Sequence, residues 1–149
     1  MKEIDDLDKS ILRILQRDGT ASYESISSEV GTSVGTVYNR IKRLKEDGII
    51  LRIIPEIDTR ELGYDIVALI DVRIEGGHVI KVQQEFSRHP NVCSVYDVTG
   101  EYDTMFVTKF KNTQELNLFV KTLGGHKNVH RTNTKLALNV IKEGTAPQI

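Results

Sequence analysis

The side chains best suited to chemistry lie in residues 33–43, a stretch rich in hydroxyl, amide and basic groups. They are Ser33, Thr36, Asn39, Arg40, Lys42 and Arg43. Arginine can bridge O6 and N7 of guanine, asparagine can pair with adenine, and hydroxyls and lysines can hold phosphates. The set is therefore suited to contacting a DNA duplex, although a solvated helix face without a partner shows the same residue types.

An apolar stripe in the same stretch predicts the helix that positions these groups. The stripe is formed by Val34, Val37, Tyr38, Ile41 and Leu44. Five members of the polar set fall opposite this stripe on a helical wheel, so we expect their side chains to be free to face a partner. These are Ser33, Thr36, Asn39, Arg40 and Arg43. The substitutions Arg40→Ala and Arg43→Ala are each expected to weaken DNA binding, by ~1–3 kcal/mol if the contact is bidentate to guanine.

Two further helices are predicted upstream of this one. The first carries apolar residues at helical spacing from Leu7 to Leu15, with Asp5 or Asp6 as its N-cap. The second runs from Ser22 to Val30, and Gly31-Thr32-Ser33 then forms a tight turn. Two helices, a glycine-containing turn and a third helix with a polar face are the order of a helix-turn-helix unit.

The run from Gly48 to Pro55 is predicted to form a β-wing after the third helix. Its Arg52 could touch the phosphate backbone, and a plain linker strand is the alternative. We therefore expect a winged helix-turn-helix domain over residues 1–54, a linker over 55–66 and a second domain over 67–149.

The second domain reads as β-α-β-β-α-β. Strands are predicted over 67–74, 92–98, 104–110 and 132–141, and helices over 78–89 and 113–123. This order predicts a ferredoxin-like α+β fold, in which an antiparallel sheet carries both helices on one face. The other face is predicted to present Val67, Leu69, Cys93, Val95 and Ala137, mixed with Asp71, Arg73 and Lys135. A second copy of the chain would cover it, which predicts a homodimer, and Cys93 is expected to be a buried thiol without function.

Four segments together resemble the leucine-responsive regulatory protein/AsnC family, the feast/famine regulators. They are residues 4–12, 18–23, 30–33 and 41–50. The opening Ser33-Val34-Gly35-Thr36 departs from the more common Ser-Pro-Ser type of that family, which leaves the start of the third helix open. The resemblance implies a regulator of promoter DNA that forms dimers, which in the family assemble into tetramers or octamers.

The second domain resembles the same family through a G-x-Y-D loop formed by Gly100, Glu101, Tyr102 and Asp103. In the family this loop lies at a subunit crevice that binds an amino acid or similar effector, so the resemblance implies an effector site here. Thr132 and Thr134 could join the same crevice, although solvated residues at a strand entry would look the same. A simple β-hairpin turn is the alternative for the loop itself.

Other classes of site are not expected. The four histidines lack the partners of a metal site, and no nucleophile elbow, phosphate-binding loop or dinucleotide fingerprint is present, so we expect no catalytic site, cofactor or metal. The sequence has no candidate membrane span or signal peptide, and a cytoplasmic location without membrane partners is expected. The net charge of −1 does not by itself favour nucleic acid.

Two rival functions remain. The same two-domain architecture resembles tetrapyrrole decarboxylases that act on sirohaem derivatives, in which the helix-turn-helix no longer reads DNA. The hydroxyl-rich, acid-free start of the third helix favours the regulator over that enzyme. A metabolite-binding module that acts by oligomerising would bind ligand without selective DNA binding.

Overall fold

The computed structural model describes residues 3–144 and 146–149. The chain divides into two compact units. The first runs to Ile57 and takes in Glu143–Ile149, and the second is Asp58–Lys142. This differs from the predicted second domain, which extended to residue 149. The C-terminal segment joins the first unit because it bonds to the first helix, where Gln16 Nε2 donates to the carbonyl of Pro147 at 2.9 Å.

Three helices form the described part of the first unit: α1 (Asp6–Arg17), α2 (Tyr23–Val30) and α3 (Val34–Glu46). Each follows a capping residue whose side chain accepts a backbone N–H of the first turn, namely Asp5, Ser22 and Ser33. Gly31 ends α2 at φ 70°, a left-handed conformation that favours glycine. The predicted helix-turn-helix is confirmed, and α3 begins directly after Ser33.

A small apolar core holds the three helices together. It is formed by Ile11, Ile14, Ile26, Val37 and Ile41. The stripe on α3 is narrower than predicted, because Tyr38 is 48% exposed and Val34 is 40% exposed. The Tyr38 ring instead meets the edge of the Tyr23 ring, with centroids 5.8 Å apart.

The predicted β-wing is wrong. Residues 48–57 form no strand, and those from Leu51 to Ile57 are exposed. A strand needs a neighbour for its backbone hydrogen bonds, and none of the strands in the described residues pairs with this run. Its β-branched and apolar residues therefore indicated extended backbone rather than a sheet.

The second unit contains β1 (Ile66–Ile74), α4 (Val79–Phe86), β2 (Val92–Asp97), β3 (Thr104–Phe110), α5 (Thr113–Gly124) and β4 (Val129–Leu136). The strands pair antiparallel in the order β2-β3-β1-β4. This confirms the α+β class and the ferredoxin-like arrangement. The partner strand β1 begins at Ile66 and ends at Ile74, opposite Val129. Because β4 pairs along these residues, it begins and ends earlier than predicted. No helix among the described residues is long and apolar enough to cross a bilayer.

Both helices of the second unit cover one face of its sheet. The core between them includes Ile70, Val72 and Phe106 from the sheet, Phe86 from α4 and Phe119 from α5. This confirms that the helices share a face, and the two helices of this unit leave the opposite face of its sheet uncovered.

Two residues expected on the uncovered face of the sheet behave differently. Val95 pairs with Phe106 and contacts the helix-side core, because a bulge between Val92 and Ser94 shifts the alternation of β2. Cys93 lies at that bulge and is exposed rather than buried. An extra residue in one strand reverses which face its neighbours occupy, and the apolar pattern alone does not reveal it.

Candidate functional site

The outward surface of α3 carries a narrow polar stripe. Thr36, Asn39 and Arg43 follow one another at spacings of three and four residues, which places them on one side of a helix. The opposite side is fixed by Val37 and Ile41, which are almost completely buried. The Ser33 hydroxyl accepts from the Thr36 backbone N–H at 3.1 Å and bonds to the Thr36 hydroxyl at 2.8 Å. Ser33 thus caps the helix beside this stripe.

The two arginines of α3 are not free, in contrast to the sequence expectation. Arg40 pairs through Nη1 with Asp5 and also bonds to Asp8 Oδ1 at 3.2 Å. Arg43 pairs through Nη2 with Asp8 Oδ2. The side chain of Asp8 is 0% exposed, whereas those of Arg40 and Arg43 are 27% and 44% exposed. A helical wheel for α3 alone could not show these carboxylates, because α1 supplies them.

The pairing of Asp5 with Arg40 favours the ionised form of both side chains. The backbone N–H of Asp8, and after it the Arg40 guanidinium, lower the pKa of the exposed Asp5 carboxyl to about 2. The same cluster raises the pKa of Arg40, chiefly through its hydrogen bond to Asp5. One sequence signal pointed to it: Asp8 lies three and four residues before the buried Ile11 and Leu12, so it shares their inward face.

The remaining predicted DNA-contacting residues are exposed. Lys42 lies on α3 with its Nζ 3.9 Å from Glu46 Oε1, a weak surface pair. Arg52 lies in the extended run after α3. Both residues are exposed, and Arg52 does not lie on a wing.

The G-x-Y-D loop connects β2 to β3 and is fixed by backbone geometry. Gly100 has φ 114°, in the region that favours glycine. Asp103 Oδ2 accepts from the Ile74 N–H at 2.7 Å, and the Asp103 N–H donates to the Val72 carbonyl at 3.0 Å. The carboxylate, predicted as a partner for a ligand ammonium, therefore already stabilises the end of β1.

Two arginines that the sequence reading missed hold the outer side of this loop. Arg73 Nη1 donates to the Glu101 carbonyl at 2.8 Å, and Arg131 Nη1 lies 3.3 Å from Glu101 Oε1. Thr132 and Thr134 are paired with Val72 and Ile70, so their side chains point to the helix-covered face. Both threonines come after Arg131 along β4. The Thr132 side chain lies next to Gly124 of α5. Tyr102 is half-buried.

The uncovered face of the sheet is mixed rather than uniformly apolar. Val67 and Leu69 lie opposite Lys109 and Val107 across β1 and β3. Asp71 lies at the centre of this face and is 4% exposed. Its Oδ2 lies 2.6 Å from Lys135 Nζ and 3.2 Å from Asn133 Nδ2. The carboxylate of this buried acid is thus paired within the chain, by a lysine and an asparagine. Among the described residues, no group of three or more His, Cys, Asp or Glu side chains could hold a metal ion.

A helix-turn-helix unit with a polar third helix, followed by a separate ferredoxin-like domain, fits the class of two-domain DNA-binding regulators, while the fold alone does not set the function. The domain families that match agree with this class. An AsnC-type helix-turn-helix domain matches residues 4–45, and a Lrp/AsnC ligand binding domain matches residues 67–147.

Similar proteins cover nearly the whole chain. An uncharacterised HTH-type transcriptional regulator of Pyrococcus abyssi is 39% identical over 140 residues, 94% of this chain and 95% of that protein. A transcriptional regulator of Neisseria meningitidis, crystallised as an L-Met complex, has a TM-score of 0.88 at 26% identity and covers 96% of this chain and 95% of its own. AsnC of E. coli has the same fold, with a TM-score of 0.89 at 21% identity over 97% of this chain and 99% of its own. The chain therefore belongs to the Lrp/AsnC family of transcriptional regulators, with a helix-turn-helix domain and a ligand-binding domain.

Proposed function

We propose that the chain recognises promoter DNA selectively by placing α3 in the major groove. The observation that carries this proposal is the stripe of exposed Asn39 and Arg43 with half-buried Thr36, on a helix whose other side packs into the core. Asn39 and Arg43 offer the groups that read adenine and guanine edges. Contacts to phosphates are assigned to Ser33, Thr36, Lys42 and Arg52. Arg40, held by the carboxylates of Asp5 and Asp8, fixes α3 to the first turn of α1.

Fluorescence anisotropy tests this proposal. Labelled duplex from upstream of the chain's own gene is titrated with protein at several salt concentrations and with excess unrelated duplex. Binding that survives the competitor and weakens with salt is expected. Asn39→Ala is expected to weaken it roughly tenfold, whereas Asn117→Ala, an exposed asparagine on α5, serves as the matched control. If neither this duplex nor one selected from random sequences binds above competitor, α3 is not a reader of DNA.

We also propose an amino acid or a related metabolite as the effector, bound at the loop of Gly100, Glu101, Tyr102 and Asp103. The match to a Lrp/AsnC ligand binding domain and the L-Met complex of the Neisseria regulator support this choice. Thr132 and Thr134 face the helix side, so they would reach such a ligand only if it extends over the sheet edge.

Calorimetry with the twenty common amino acids, beginning with L-Met, tests for the effector. Saturable binding that Glu101→Ala weakens is expected, because this side chain is exposed on the loop. Gln114→Ala, an exposed residue of α5, is the matched control. Absence of heat with every amino acid would refute this ligand class.

We further propose a homodimer formed through the uncovered face of the sheet, with tetramers or octamers built from such dimers. The apolar residues Val67, Leu69 and Val107 are too many to leave in water on a monomer. Light scattering after size exclusion tests the assembly. Leu69→Glu is expected to give monomers, whereas Leu118→Glu, a 69% exposed position on α5, is expected to leave the mass unchanged. Equal masses for all three proteins would place the interface elsewhere.

A further inference from the structure

Asp8 is the one fully enclosed acid of the described first unit, and three groups satisfy its carboxylate. Its Oδ2 accepts from the Asp5 backbone N–H at 3.2 Å and pairs with Arg43, and its Oδ1 accepts from Arg40 at 3.2 Å. A buried carboxylate is tolerated only when charged partners and hydrogen bonds replace its lost hydration. The first turn of α1 and two side chains of α3 are therefore fixed to one another.

The two arginines serve this carboxylate in different ways. Arg40 uses a single nitrogen for both Asp5 and Asp8 and is the less exposed of the two. Arg43 contacts Asp8 through Nη2 and has 44% of its side chain exposed. A guanidinium carries five donors, so Arg43 retains donors on Nε and Nη1 for an outside partner. Arg43 also shares its helix side with Thr36 and Asn39.

We propose that Asp8 is a positioning residue for DNA recognition, which acts by holding the Arg43 guanidinium in place beside the Asn39 side of α3. This inference rests on the proposed DNA-binding function and adds a residue that touches no DNA. An arginine held in advance loses less side-chain freedom when it binds, and its fork keeps a fixed orientation toward a guanine edge. Arg40, the less exposed of the two arginines, then holds the same carboxylate through Asp8 Oδ1.

A double-mutant cycle on the full chain tests this coupling. The variants are Asp8→Asn, Arg43→Gln and the combination, and the probe is a duplex that the wild type enriches from a random-sequence library. Each single variant is expected to weaken binding to this duplex about tenfold, and the combination to bind no more weakly than Arg43→Gln alone. Losses that multiply in the combination would overturn the proposal.

Asp6→Asn is the matched control because it makes the same charge change two residues earlier on α1. Its side chain is 97% exposed and pairs with Lys9 rather than with α3. It is expected to leave the ratio of affinities for the selected and an unrelated duplex unchanged, while Asp8→Asn lowers that ratio. An equal loss in both variants would show a general charge effect and refute the positioning role.

Arg43→Lys tests the same idea without altering the buried carboxylate, should Asp8→Asn fail to fold. Lysine keeps the charge but lacks the fork, so the affinity ratio is expected to fall about tenfold while binding to unrelated duplex is retained. An unchanged ratio would overturn the proposal. If the wild type enriches no sequence, the proposed DNA-binding function itself fails, which is distinguishable from a multiplicative cycle.

Discussion

Replacing Asp103 distinguishes a structural role of the G-x-Y-D loop from a ligand-binding one. Asp103 Oδ2 accepts from the Ile74 N–H at 2.7 Å, where the pairing of β1 with β4 shifts register after Arg73. Its own N–H donates to the Val72 carbonyl, and its carbonyl accepts from the Val98 N–H. The side chain thus supplies the acceptor that β4 does not offer at this irregular point. Asp103→Ala removes that acceptor and leaves the backbone bonds possible.

The expected loss follows from the strength of one charge-assisted hydrogen bond. Such bonds contribute about 1.5–3 kcal/mol, so Asp103→Ala should lower the free energy of unfolding of the sheet domain by about 2 kcal/mol. Asp103→Asn keeps an oxygen acceptor without the charge and should lose about half as much. Amide hydrogen exchange followed by NMR reads this domain separately from the helical unit. The Ile74 amide should exchange faster even in the absence of any effector.

Glu101→Ala is the control for this experiment because its side chain makes only an exposed ion pair with Arg131. Exposed pairs contribute about 0–1 kcal/mol, so exchange at Ile74 should barely change. If Asp103→Ala leaves the exchange of Ile74 unaltered but abolishes binding of an amino acid, the carboxylate serves the ligand and our structural reasoning is refuted.

Three further outcomes are expected. Because Asp5 has a folded-state pKa of about 2, below its ordinary 3.8, its stabilisation is complete above that ordinary value and is lost as the pH falls from there toward 2. Asp5→Asn should therefore make the thermal midpoint of the helical unit less dependent on pH in this window. An unchanged pH profile would contradict the cause assigned to the lowered pKa of Asp5. Gly100→Ala should cost about 1–2 kcal/mol in urea unfolding because its φ is 114°, and Gly76→Ala, with no positive φ, should cost little; equal losses would argue against backbone strain. Ser33→Ala should cost about 1 kcal/mol through the lost α3 cap, measured by amide exchange in the first turn of α3, whereas no change there would show that the cap is dispensable.

The elements of this fold are largely predictable from sequence because local signals agree with one another. Helical spacing, caps such as Ser22 and Ser33, and the left-handed Gly31 point to the same helix-turn-helix. The strand β3 matches its predicted bounds of Thr104–Phe110 because its burial alternates without interruption. Where one signal covers a whole element, the prediction holds to within a few residues.

The errors arise where a second element decides the outcome. The run after α3 has strand-like residues but no strand beside it, and Val95 changes face because of a bulge in β2. Arg40 and Arg43 looked available because their partners lie some thirty-five positions earlier on α1. Similarly, the hydrogen bond from the Ile74 N–H to Asp103 carries no signal in the sequence, whereas a role of Asp103 in effector binding stays a prediction.

The basic cluster of α3 is less basic in the structure than in the sequence, and this bears on how the protein selects DNA. Arg40 and Arg43 face Asp5 and Asp8, and Lys42 lies near Glu46. Affinity for unrelated duplex depends on the charges that neutralise phosphates, so these acids lower it. Contacts to base edges depend on donor geometry instead, and an arginine fixed by a carboxylate keeps that geometry. Asp5 and Asp8 should therefore raise selectivity by weakening phosphate attraction more than base readout. The substitution Asp5→Asn should increase binding to unrelated duplex together with its salt dependence.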